Sequence, residues 1–252
     1  MRLRHMAVAA AGLLALTACS SAAHSGAASA ARSTDSTTSS APVATPSASP
    51  SPSPSPATSP GPTVAQVTAW VNAAKLSATA IGATKPVNDI PGVAPTIAVC
   101  NVGIAADHDE LFAHYWRWAG KRIPYVEHAV IGYPSAASDV VAQIRKRASS
   151  CRSYDQKDSF GTGRIAFVGS YAFTPASGID AAYAFCEKTT TVSPAKEKGQ
   201  VGYICTAAVS RSDVLATIRV FGARPTLASA RAALGPPLRL AEAALVKAVP
   251  AP

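Results

Sequence analysis

Acidic residues are scarce in this sequence. It has 14 Asp and Glu against 23 Lys and Arg in 252 residues, and only 15% of its residues are charged. After the first twenty residues no apolar run reaches eighteen, which excludes a multi-span membrane protein. The composition likewise excludes collagen and coiled coil. Cys-x-x-Cys is missing, so zinc ribbons and thioredoxin-like redox sites lack their usual signature. Gly-x-Ser-x-Gly is missing too. Phe160-Gly161-Thr162-Gly163-Arg164 has neither the third glycine nor the Lys-Ser/Thr ending of a nucleotide loop, and it precedes a strand-like run instead of opening a helix. What remains is 48% hydrophobic residues, enough for a packed core.

The N-terminus reads as an export signal. Arg2 and Arg4 precede the apolar stretch Met6 to Leu16, eleven residues long. That is short of the roughly 20 residues needed to span a bilayer, but it suits a signal h-region. Leu16-Thr17-Ala18-Cys19 resembles the lipobox of bacterial lipoproteins, which implies lipidation of Cys19 and residues 1–18 as the removed signal. A diacylated residue carries two chains, enough for stable anchoring. Residues 19–62 follow as linker: Ser, Ala, Thr, Gly and Pro dominate, with strict Ser-Pro alternation from Ser49 to Pro56. Such a segment cannot bury enough apolar surface to offset the entropy of ordering. From Ser20 it would reach about 130 Å as polyproline II, or about 35 Å as a coil.

Residues 63–252 form the expected folded domain. It holds Cys100, Cys151, Cys186 and Cys205, an even number that favours two disulfides in an exported chain. Three pairings exist. Cys100–Cys151 with Cys186–Cys205 is favoured, because Cys186 and Cys205 lie in successive strand-like runs. Helices are expected over Val64 to Ala80, over Asp107 to Gly120, and after Ser135, which would cap a helix with Val140, Val141 and Ile144 inward. A last amphipathic helix is expected from Leu238 to Val249, split from what precedes it by Pro236-Pro237. Strands are expected over Tyr125 to Tyr133, Ile165 to Tyr171, Ala181 to Glu187, Val201 to Val209 and Val214 to Phe221. The last two are joined by a turn at Ser210-Arg211-Ser212-Asp213. Late strands with short connections predict an α+β fold, an antiparallel sheet flanked by helices.

Two stretches carry a family likeness. Tyr133-Pro134-Ser135-Ala136-Ala137 leads into a helix ending Ser150-Cys151. Cys205-Thr206-Ala207-Ala208 is followed by a turn and the strand Val214-Leu215-Ala216-Thr217-Ile218-Arg219-Val220. From about Tyr125 to Val249 the chain resembles the PknH-like extracellular domain, a sensor module of actinobacterial receptor kinases and lipoproteins. The resemblance implies an antiparallel sheet with helices around a cleft, two disulfides and ligand sensing, with no catalytic residue to carry over.

Reactive constellations are weak. Ser193-Pro194-Ala195-Lys196 matches Ser-x-x-Lys, but it falls in a polar connection between strands, without Ser-Asp-Asn or Lys-Thr-Gly. Glu110 and His114 would share one face of the expected helix, yet no third metal ligand is evident. Acids in a first turn are also what a helix dipole favours. His128 reads as a structural histidine. The aromatic cluster Phe112, Tyr115, Trp116, Trp118 and Tyr125 is more informative. As a helix apolar on two sides it would be a core element. As a cleft wall, Tyr115, Trp116, Arg117 and Trp118 would bind a ligand, with Lys121 and Arg122 nearby for an anionic group.

Without Arg2 and Arg4 the formal charge of +9 becomes +7. Anionic wall polymers, lipid headgroups or a small anionic ligand are partners such a surface would attract. A membrane protein partner is a further candidate, and no nucleic acid is expected. No cofactor and no metal is implied. The expectation is a lipid-anchored protein of the outer membrane face with a non-catalytic sensor or ligand-binding domain. The alternatives are a wall-modifying hydrolase using Asp107, Asp109 or Glu110, and an accessory protein docking on a membrane complex.

Overall fold

Alternation of side chains builds most of the domain. A computed structural model of the chain describes residues 61–92, 99–100, 102–119, 125–158, 161–222 and 224–251. The expected signal, Cys19 and the linker through residue 60 lie outside the described residues. The strands are β1 (Asn88–Pro91), β2 (Phe112–Trp118), β3 (Tyr125–Gly132), β4 (Ser153–Asp158), β5 (Gly161–Ser170), β6 (Ala181–Ser193), β7 (Val201–Arg211) and β8 (Val214–Phe221). They form one antiparallel sheet in the order β1-β2-β3-β8-β7-β6-β5-β4. With α1 (Val64–Ala73), α2 (Ala137–Ser150) and α3 (Leu227–Ala248) the fold is α+β, as the sequence implies.

α1 and α3 cover one face. There Trp116, Trp118, Val126, Val130, Ile218 and Val220 meet Val67, Val71, Leu234, Leu238 and Leu245, all buried. Each such side chain contributes about 1.5–3 kcal/mol by leaving water. α1 lies so close to β3 that a Cβ on Gly132 would stand 1.9 Å from Val67 Cγ1. α2 covers part of the other face, with Val140, Val141 and Ile144 against Tyr183, Phe185, Ala208 and Leu215. Cys186–Cys205 joins directly opposed residues of β6 and β7 and is fully buried, while Cys100–Cys151 ties the segment before β2 to the end of α2. Both expected pairings are present.

Several boundaries differ from expectation. The stretch read as a helix from Asp107 to Gly120 is a short 3₁₀ turn, Ala105–His108, followed by β2. Phe-Ala-His-Tyr-Trp-Arg-Trp is rich in strand-favouring aromatics, and tertiary pairing on both sides outweighs the acidic start that suggested a helix. Glu110 and His114 therefore share no helix face. α1 ends at Ala73, so Leu76 is buried from the turn beyond it and Val64 is exposed. Ser135 does not cap α2. The amide of Ala137 instead donates to the Ser212 carbonyl at 2.9 Å, so the β7–β8 turn satisfies that helix start. Pro236 and Pro237 lie inside a continuous α3. They remove two amide donors, yet Ala230, Leu234, Pro237, Leu238, Ala241 and Leu245 stay buried along one side, and that packing holds the helix through them.

Candidate functional site

In a strand, successive side chains point to opposite faces, and this divides the four sequence-predicted residues. Trp116 and Trp118 face α1 and α3 and are 0% exposed. They enclose His128, also fully buried, with ring centroids 5.5 and 6.3 Å from it. Neither nitrogen of His128 and neither indole N–H has a hydrogen-bond partner among the described residues. Burial, helped by the charge of His114, pulls the His128 imidazole down to about 3, so it is neutral. His114 stacks on Trp116 at 4.0 Å. Its Nδ1 lies 2.7 Å from Asn72 Oδ1 and its Nε2 2.5 Å from Asp89 Oδ1, with Lys75 on the other Asp89 oxygen at 2.7 Å. This network pins α1 to β1 and β2. The two tryptophans thus serve the core and do not share a surface with Tyr115 and Arg117.

Tyr115 and Arg117 point to the face that α2 covers only in part. Beyond α2 the register sets Arg117 opposite Glu127, Glu127 opposite Arg219, and Arg219 opposite Thr206, a row of alternating charge across β2, β3, β8 and β7. The adjacent row holds Tyr125 opposite Phe221, their rings 5.4 Å apart and nearly parallel. Towards β4, Glu187 and Tyr154 continue the same face.

The polar groups form two similar sets. The Tyr115 hydroxyl donates to Glu127 at 2.7 Å, with Arg117 Nε 3.9 Å from the same carboxylate oxygen. The Tyr154 hydroxyl donates to Glu187 at 3.0 Å, with Arg219 3.7 Å from the other oxygen. Burial first, and then the neighbouring carboxylate, pushes both phenols above the ordinary tyrosine range. Burial also raises Glu187, against the pull of Arg219 and Tyr154. The Arg117 guanidinium carbon lies 4.6 Å from the Tyr125 ring centre and 4.9 Å from that of Phe221, and Arg219 lies 6.0 Å from Phe221. Arg117 and Arg219 keep 28% and 30% of their side-chain exposure.

β3 and β6 are three strand spacings apart, so Glu127 and Glu187 stand about 14 Å from each other by strand spacing alone. Paired glycosidase carboxylates need roughly 5–9.5 Å. Elsewhere, burial and the charge of Asp107 raise Glu110 to about 7. A cleft of about 490 Å³ lies between α2 and the segment from Ser170 to Ala184, lined by Tyr171, Phe173, Ile179 and Tyr183. Its cation, Arg145, already donates to the Ala182 carbonyl at 3.1 Å. Among the described residues no group of three or more His, Cys, Asp or Glu could hold a metal ion, and no helix is long and apolar enough to cross a membrane. Lys121 and Arg122 lie outside the described residues.

Glu127, Arg219, Phe221, Glu187 and Tyr154 were not singled out from the sequence. The signal was there for two of them: a lone charge inside an apolar strand run is more informative than an exposed one, and Glu127 and Arg219 each interrupt such a run.

No family model matches the chain, and no curated protein matches it. Among solved structures it is similar to the extracellular domain of PknH from Mycobacterium tuberculosis, at 14% identity and a TM-score of 0.47, over 69% of this chain and 94% of that one.

Proposed function

We infer that this chain is a cell-surface lipoprotein whose α+β domain binds an envelope-derived ligand without transforming it. The signal-like start, the lipobox at Cys19 and the Ser/Pro-rich spacer support a tethered, extracytoplasmic domain. Two disulfides suit an oxidising compartment. The observation that carries the binding role is the partly exposed row of Arg117, Glu127 and Arg219 beside the stacked Tyr125 and Phe221. Rings and forked cations on one sheet face are equipped to hold a ligand by stacking and hydrogen bonds. Among the described residues the face offers no nucleophile with an adjacent base, and its carboxylates Glu127 and Glu187 stem from strands three spacings apart.

A thermal-shift series on the chain with wall fragments, anionic and neutral lipids, and divalent metals tests the binding role. A ligand-specific rise in melting temperature is expected, since any ligand of the native state stabilises it by mass action. Phe221→Ala and Arg117→Gln should remove most of that rise. No rise with any ligand would overturn the reading and favour docking on a membrane protein. The anchor has a separate test: Cys19→Ala should move the protein from the membrane fraction to the soluble one.

A further inference from the structure

We propose that Arg117 and Arg219, both beside Phe221, form an oxyanion site that takes a carboxylate or phosphate group of the ligand. This rests on the ligand-binding reading above. Among the described residues neither guanidinium donates a hydrogen bond. Each has its carboxylate partner at 3.9 or 3.7 Å, too long for a hydrogen bond. One oxygen of each carboxylate accepts from a tyrosine, Glu127 from Tyr115 and Glu187 from Tyr154. The Nε atoms of both arginines are buried and unpartnered.

A buried donor without an acceptor is costly. Here the two cations border one ring: both guanidinium carbons lie within 6.0 Å of the Phe221 centre, on side chains two strands apart. The exposed part of each guanidinium is what an oxyanion meets, and the fork of arginine matches carboxylate and phosphate oxygens in pairs. Glu127 and Glu187 face the site and lower its net charge, so the geometry selects a ligand that offers several acceptor oxygens to donors already in place. Arg145 and Arg211 show what a committed arginine looks like in this fold. Arg145 donates to one carbonyl, and Arg211 donates to the Val249 and Gly178 carbonyls at 2.6 Å each.

The test follows the arginine Nε–H resonances of the full chain by NMR during titration with inorganic phosphate and phenyl phosphate at constant ionic strength. The expected result is a saturable shift of Arg117 and Arg219 together, with phenyl phosphate the tighter of the two. Arg219→Gln should weaken binding at least tenfold, and Arg219→Lys, which keeps charge but loses the fork, at least threefold. Unchanged near-ultraviolet circular dichroism keeps misfolding apart from loss of the site. Co-sedimentation with phosphatidylglycerol and phosphatidylcholine vesicles separates the sources. Binding of the anionic vesicles alone, lost in Arg219→Gln, assigns the oxyanion to a lipid headgroup, and binding of soluble phosphate esters alone assigns it to a free ligand. Shifts spread over surface arginines without saturation would overturn the proposal. Perturbation of Tyr125 and Phe221 by neutral wall fragments, with no response to phosphate, would overturn it while leaving the ligand-binding face intact. Silence of the face to every probe would remove both.

Discussion

His128 makes the fold sensitive to acid. It is fully buried between Trp116 and Trp118, with neither ring nitrogen bonded among the described residues. Its folded-state value of about 3 is below the ordinary 6.5, so the unfolded chain binds the proton first. Stability from this group is complete above pH 6.5 and is lost as pH falls towards 3. By pH 5 the loss is about 2 kcal/mol. His128→Leu should flatten the stability profile between pH 7 and 5 by that amount in urea unfolding, and at pH 5 it should be more stable than the parent. An unchanged slope would mean that His128 is charged when folded. At this scale the sequence was only partly legible. Arg117 and Tyr115 stood out through their aromatic neighbours; the apolar runs around Glu127 and Arg219 mark them as unusual charges, but their pairing across strands distant in the chain is a relation no local pattern displays.

The β2 strand shows why elements were harder to read than composition. Acids at Asp107 and Asp109 and a glycine at 120 framed a helix, while Phe112, His114, Trp116 and Trp118 at every second position described a strand with one apolar face. The second signal was the true one, because β1 and β3 pair with it on both sides. The strands Val201 to Val209 and Val214 to Phe221 were legible because β-branched residues and a polar turn agree there. Pro236-Pro237 misled for the opposite reason: a local penalty was visible, and the burial that offsets it was not. Packing between elements gives a test. Gly132→Ala should cost about 1–3 kcal/mol, since its Cβ would meet Val67 Cγ1 and push α1 outward. Adding Val67→Ala should recover part of that loss, although Val67→Ala alone destabilises. A double variant no better than the sum of its parts would place the strain elsewhere.

Across the whole molecule, two covalent staples divide the stabilising work. The Cys100–Cys151 loop spans 51 residues and the Cys186–Cys205 loop 19, so on the chain-entropy picture they contribute about 4 and 3 kcal/mol. Replacing Cys100 and Cys151 by Ala should therefore lower unfolding stability by about 4 kcal/mol through the opened loop, measured by urea unfolding. The buried Cys186–Cys205 bond should also resist reductant longer, because its attackers must wait for the sheet to open.

The strand order has a temporal meaning as well. β1 to β3 form a meander of their own and β4 to β7 another, and only β8 joins them. A chain delivered from its N-terminus, by a ribosome or through a translocation channel, thus holds two half-sheets with open edges until residue 221 has emerged. The seam is sewn last, by a strand whose partners were made up to about a hundred residues earlier. Until then each half keeps an unpaired edge, and β8 closes both at once.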